Sequence, residues 1–291
     1  VFSSLISNAH GVIHIRDHRH VADIPSTFLA ACVQGELVKL SRGGYARRRH
    51  FDSLSCWDRH RVCIAATAVD FPSAVVVGGS AALWHGLWTI DPAPADIELY
   101  RPGTRARMAS RALTPIRLVH TPVHEREVIH RAGVRVTSIA RTLLDVWRIH
   151  GPEAAFVSIC HALRKGAIDH DGLRASFEEC PWKGQLAAGI RIIEAATCEH
   201  EHPISALLHA QILLDGRLSV SAVRGTVLDV DQIRDPIFVK APECPISHEI
   251  ERSGAFDEEW DSCAPPGGAL VIEPACIHAR TAVTRLLAHQ S

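Results

Sequence analysis

The chain has 291 residues, 47% of them hydrophobic and 22% charged, with a net charge of −1, a globular composition that leaves room for two or three domains. No apolar run reaches the roughly 18–20 residues of a membrane span, and the first fifteen residues lack the basic start, apolar stretch and cleavage motif of an export signal. The expected setting is the cytoplasm, away from any membrane.

Nine cysteines, an odd number without a C-x-x-C pair, argue against a disulfide framework and a zinc ribbon. Charge is unevenly shared. Residues 1–150 carry 19 Lys and Arg against 12 Asp and Glu, whereas residues 151–291 carry 12 against 20. The front half is therefore the half expected to meet a polyanion.

In chain order, Phe2, Leu5 and Ile6 suggest a short helix, His10-Gly11 a turn and Gly11-Val12-Ile13 an apolar pivot. A second short helix is predicted over His18–Ala22 and a third over Ser26–Gln34, with Phe28, Leu29, Cys32 and Val33 as its apolar residues. Gly35 is suited to a left-handed helix end. Leu37, Val38 and Leu40 then read as a strand, Ser41-Arg42-Gly43-Gly44 as a tight turn and Tyr45-Ala46-Arg47 as the returning strand. The glycine pair would supply the positive φ of a hairpin turn.

Three helices and a basic hairpin are the parts of a winged helix-turn-helix, predicted here for residues 1–50. Its third helix would enter the major groove of duplex DNA while the wing lies on phosphate. Ser26, Thr27 and Gln34 are the candidates for base edges or phosphates. Lys39, Arg42, Arg47, Arg48 and Arg49, with Tyr45 among them, are the candidates for the DNA backbone.

Trp57–Ala68 reads as a helix, and SAVVVGGSAALWHGLW over residues 73–88 as a buried strand entering a short helix. Val134 to Thr137 alternates like a half-buried strand, with Ser138 placed to cap the helix that follows. Ile139, Leu143, Val146 and Trp147 make one face of that helix. Gly151-Pro152 ends it and starts another, which closes at Lys165-Gly166.

These segments resemble those of the AbiEi-like antitoxins of actinobacterial type IV toxin–antitoxin systems. That family has an S-A-A-x-x-H-G-L segment, here Ser80 to Leu87, and a T-x-x-A-R-T-L-L-D segment, here Thr137 to Asp145. The resemblance covers about residues 5–175 and extends to ALRKGAI at residues 162–168. It implies a winged helix that binds operator DNA without a cofactor and represses its own operon. It also implies a counterpart toxin, nucleotidyltransferase-like, opposed without a stable protein complex. The predicted middle domain spans 51–175. Within it, His85 reads first as a packing residue, and Arg141 and Asp145, four apart, as a helical ion pair.

Gly78-Gly79-Ser80 is similar to the G-S start of nucleotidyltransferases, but no D-x-D follows closely, and Asp96-Ile97-Glu98 is the nearest acidic pair. Phosphate-binding G-x-x-x-x-G-K-[ST], G-x-G-x-x-G and G-x-S-x-G motifs are missing.

Some relatives continue into a restriction-endonuclease-like domain similar to very-short-patch repair nucleases, and residues 195–291 follow its order in degenerate form. Glu201, Asp235, Glu249 and Glu251 are the carboxylates that would hold Mg²⁺ in the alternative function, a DNA endonuclease targeted by the winged helix. Against it stand Pro236 directly after Asp235, the lack of a glycine after Glu251, and a Pro- and Gly-rich loop where a basic helix belongs. Cys198, His200 and His202 alternate, so a strand there would turn all three to one side as a partial zinc set, though a fourth ligand at a recognisable spacing is lacking. The overall expectation is an α+β protein of three parts: winged helix, mixed α/β middle and degenerate endonuclease-like end.

Overall fold

The computed structural model describes residues 5–19, 23–90, 96–103, 115–179, 186–200 and 203–215. They form a mixed α+β protein with two sheets. It divides into two compact units, Val1–His85 with Ala93–Ser138, and Gly86–Pro92 with Ile139–Ser291. The boundary expected after residue 50 falls inside the first unit.

The first unit begins with β1 (Ile13–His14) and a 3-10 turn (Ile15–His18), then α1 (Ile24–Val33), β2 (Leu37–Lys39) and β3 (Gly44–Arg47). The expected first helix is not formed over the described residues 5–8, which are irregular because Leu5 turns into a core cluster with Ile13, Phe28 and Tyr45. Phe2 lies outside the described residues. The expected pivot at Ile13 is strand β1, antiparallel to β3, and the sheet order is β1-β3-β2. The second helical segment is the 3-10 turn, earlier than predicted, because the His14 imidazole Nδ1 accepts the Arg16 N–H at 3.2 Å and starts the turn there. Residues 20–22 of the predicted helix lie outside the described residues.

Alternation assigns the two faces of this small sheet. Leu37 and Tyr45 join Phe28 and Ala31 of α1, while Val38, Leu40 and Ala46 point the other way, into the cluster that holds α3 (Cys56–Asp70). Between them lies α2 (Arg48–Ser53). Ser55 caps α3 by accepting the Asp58 N–H at 3.2 Å. Val62 to Thr67 are buried without a break, so α3 is covered around most of its circumference and serves as core for both sheets.

Gly43 and Gly44 are needed for a different reason from the one expected. Neither has a positive φ. A Cβ on Gly44 would lie 2.8 Å from the Ala66 Cβ, and one on Gly43 would lie 2.7 Å from His14 Nε2. They are close-approach glycines where the hairpin crosses α3.

The second sheet has the order β6-β5-β4-β8-β7, from β4 (Val75–Val76), β5 (Ile97–Tyr100), β6 (Ile116–Leu118), β7 (Val128–Arg131) and β8 (Val134–Thr137). β4 enters α4 (Gly78–His85). β7 and β8 form a hairpin whose two turn residues, Ala132 and Gly133, both have positive φ, the geometry of a type I′ turn.

The second unit is helical: α5 (Ile139–His150), α6 (Pro152–Arg164), α7 (His170–Glu178), α8 (Leu186–Ala195) and α9 (Pro203–Asp215). Gly151, at φ 92°, and Pro152 separate α5 from α6 as expected. Arg141 Nε meets Asp145 at 3.1 Å and Arg148 meets its other oxygen at 3.3 Å, with Asp145 fully buried. The T-x-x-A-R-T-L-L-D segment thus closes a buried ion cluster on one helix. Residues Ala154 to Ala162 of α6 are buried throughout.

One face of α6 holds the segment that begins at Gly86. Ser158 Oγ donates to the Trp88 carbonyl at 2.7 Å, Lys165 Nζ donates to the Gly86 carbonyl at 2.8 Å, and His161 Nδ1 accepts the Trp88 N–H at 3.0 Å. The His161 and Trp88 rings stack at 4.3 Å.

Candidate nucleic-acid interface

Helix α1 and the β2–β3 hairpin place the predicted DNA-contact residues. Ser26 and Gln34 are exposed at the two ends of α1, and Thr27 is partly covered. Strand parity separates the hairpin residues. Leu37 pairs with Arg47, Val38 with Ala46 and Lys39 with Tyr45, so Lys39, Tyr45 and Arg47 all lie on the α1 side.

Tyr45 is a correction to the expected contact set. It is only 9% exposed, its ring packs 4.9 Å from that of Phe28, and burial pushes its hydroxyl pKa up. Arg47 is also drawn inward, donating to the Leu5 carbonyl at 3.0 Å. Lys39 stays exposed at the rim, 6.0 Å from the Tyr45 ring centroid.

Arg42 is exposed at the hairpin tip. The Gly43 N–H donates to both Asp70 oxygens at 3.2 Å, and His14 Nε2 lies 3.1 Å from the same carboxylate. Because His14 Nδ1 accepts from Arg16, the ring proton is on Nε2 and is donated to Asp70. The tip is therefore tied to the end of α3, and Arg42 projects from a fixed turn. An open cleft of about 270 Å³ lies beside it, lined by His14, Ile15, Arg16, Arg42, Gly43 and Asp70. Arg16, which sequence reasoning did not select, donates to the Val69 carbonyl at 3.1 Å.

Arg48 and Arg49 are exposed in the first turn of α2 rather than in the wing strand. Two cations at the positive end of a helix oppose its dipole. They do not serve the helix they begin.

The apolar residues predicted for α1 divide between two faces. Phe28 and Ala31 are buried as core, whereas Leu29 is 66% and Val33 81% exposed. Ser26, Leu29, Ala30 and Val33 stand at i, i+3, i+4 and i+7, which groups them on one face without saying that it is the outer one.

The Gly-Gly-Ser and Asp-Ile-Glu segments do meet. Glu98 on β5 is buried and accepts the Gly79 N–H at 2.7 Å, with Arg117 at 3.3 Å from its other oxygen. Ser80 Oγ accepts the Glu98 N–H at 3.0 Å and lies 3.1 Å from His60 Nε2. Burial lowers the His60 pKa to about 4, so this imidazole is neutral. The carboxylate thus caps α4 from within the protein. His85, at the other end of α4, is buried with its Nε2 bound to the Thr137 carbonyl, the packing role expected of it.

The partial zinc set does not share one side. Cys198 is exposed while His200 is buried, its Nε2 3.1 Å from His209 Nδ1 and its ring against Phe156. The extended alternation expected over CEHEHP gives way because His200 packs inward. His202 lies outside the described residues. Among the described residues, no group of three His, Cys, Asp or Glu side chains is placed to hold a metal ion. Glu201, Asp235, Glu249 and Glu251 lie outside the described residues, and no helix among the described residues is long and apolar enough to cross a membrane.

No family model and no curated protein matches the chain. Among solved structures it is similar to the crystal structure of the RV2827C protein from Mycobacterium tuberculosis. The identity is 13%, over 72% of this chain and 77% of that one, with a TM-score of 0.43.

Proposed function

We propose that the protein is a DNA-binding transcriptional repressor, the antitoxin of a type IV toxin–antitoxin system, acting on its own operator in the cytoplasm. In this reading residues 1–50 are a winged helix-turn-helix. Helix α1 lies in the major groove and the β2–β3 hairpin is the wing. The counterpart is a nucleotidyltransferase-like toxin, a genetic rather than a stable physical partner, and no cofactor takes part.

The observation that carries the reading is the arrangement of the first fifty residues. A three-stranded sheet ordered β1-β3-β2 backs α1, Lys39 and Arg48 lie close enough to act on Cys32 of that helix, and Arg42 and Arg49 are exposed on the hairpin tip and on α2.

The test is a mobility-shift titration of the full chain on the DNA upstream of its own reading frame, repeated at stepped salt concentrations. Log affinity is expected to fall linearly with log salt. Arg42→Ala and Arg48→Ala are each expected to reduce that slope by about one. Arg47→Ala is expected to change it less, since Arg47 is already committed to the Leu5 carbonyl. Absence of any shift at the lowest salt overturns the reading.

A further inference from the structure

Helix α1 divides its residues between two environments. Its inward side supplies Phe28 and Ala31 to the core, and its outward side presents Ser26, Leu29, Ala30 and Val33 in one stripe. Leu29 and Val33, one turn apart, are both largely exposed. Not one residue of IPSTFLAACV is charged. Single exposed apolar side chains are ordinary, but a paired stripe on an uncharged helix, with exposed Lys39 and Arg48 close enough to act on Cys32 of the same helix, combines two preferences in one surface.

Duplex DNA satisfies both at once. Its phosphates match the surrounding cations. The major-groove floor carries one apolar group, the thymine 5-methyl, among donors and acceptors. The common guanine contact is a bidentate Arg or Lys, and α1 has neither.

We infer that α1 reads thymine methyl groups through Leu29, Ala30 and Val33, so that the protein selects A·T-rich duplex. This rests on the DNA-binding reading above and adds its sequence preference. The cations supply affinity, and the apolar stripe supplies the choice of base.

The experiment measures binding of the full chain to three duplexes by fluorescence anisotropy: alternating dA-dT, alternating dA-dU and alternating dG-dC. The dU duplex keeps the pairing and backbone and lacks only the methyl. Expected is binding to dA-dT about fivefold or more tighter than to dA-dU, from loss of buried methyl contact. Leu29→Ser and Val33→Ser, both at exposed positions, should remove this difference while preserving the salt dependence.

Equal, salt-dependent affinity for dA-dT and dA-dU overturns the inference and leaves the DNA-binding reading standing. No binding to any of the three overturns both. Sedimentation velocity completes the test: a wild-type oligomer that Leu29→Ser converts to monomer assigns the stripe to a second copy of the chain and overturns the inference.

Discussion

His85 donates its Nε2 proton to the backbone oxygen of Thr137 at 2.7 Å, across 52 residues of sequence. The two residues stand where the chain leaves the first unit, once after His85 and once after Ser138. A carbonyl only accepts, so the ring proton is on Nε2. His85 Nδ1 is buried without a hydrogen-bond partner among the described residues, and burial lowers the pKa. The bond fastens the end of α4 to the end of β8 at both exits.

His85→Ala is therefore expected to destabilise the protein by about 2 kcal/mol, through the lost bond and the space left behind. Urea unfolding measures this. DNA affinity of the folded variant should be unchanged; a loss of binding without a loss of stability would give His85 a role beyond packing.

Stability should fall on mild acidification. Burial lowers the pKa of His60 to about 4, of His161 to about 3 and of His200 to about 4. In the unfolded chain each titrates near about 6.5. The stabilisation is complete above that value and is lost as pH falls toward the folded pKa, because the unfolded chain binds protons that the folded one refuses. His60 alone accounts for about 3 kcal/mol over this window. Thermal unfolding at stepped pH from neutral to mildly acidic should show the decline, and His60→Gln should make it shallower.

Two glycines should reject a methyl for packing reasons. Gly44→Ala sets its Cβ 2.6 Å from Ser41 Oγ and 2.8 Å from the Ala66 Cβ. Gly189→Ala in α8 sets one directly against the Trp147 ring, which stacks on Phe177. Each is expected to cost about 1–3 kcal/mol, even though alanine gains about 1 kcal/mol of helix propensity in α8. Adding Trp147→Leu to Gly189→Ala should recover part of the loss in a double-mutant cycle; strict additivity would argue against the clash.

Glu98 should matter by charge as well as by contact. Glu98→Gln keeps an acceptor for the Gly79 N–H and loses the charge at the start of α4, for an expected loss of about 1 kcal/mol. Glu98→Ala should lose about 2–3 kcal/mol. Equal losses, read from denaturation midpoints, would reduce Glu98 to a packing residue.

Strand β8 and the Gly151-Pro152 break were legible because each depends on local chemistry, an alternation of Val and polar residues and a helix stop followed by a helix start. The small sheet was partly legible. The hairpin strands were evident, but β1 was not, since two residues carry no period and their partners in β3, Tyr45 and Gly44, come much later in the chain. The glycine pair was read as conformational because composition does not distinguish a left-handed turn from a close crossing. The faces of α1 were not legible for a similar reason. Its apolar residues occupy more than one stripe, and only the position of the sheet decides that Phe28 turns in and Val33 turns out.

Of the candidate site, the exposed cations were legible by type, while the inward turn of Tyr45 and Arg47 depended on register. The segments that carried the family resemblance have structural work in common. Lys165 of ALRKGAI bonds the carbonyl of Gly86 in the S-A-A-x-x-H-G-L segment.

That same contact has a consequence for how the chain is made. The peptide groups of Gly86 and Trp88 leave the ribosome long before Ser158, His161 and Lys165 exist to receive them, a delay of 70 to 79 residues. Until α6 emerges, Leu87 and Trp88 wait in water, available to chaperones or to the wrong neighbour. A fragment ending at Ser138 would keep that hazard permanently, so a shortened version intended to isolate the front of the molecule should also omit residues 86–92, joining its two flanks by a polar linker.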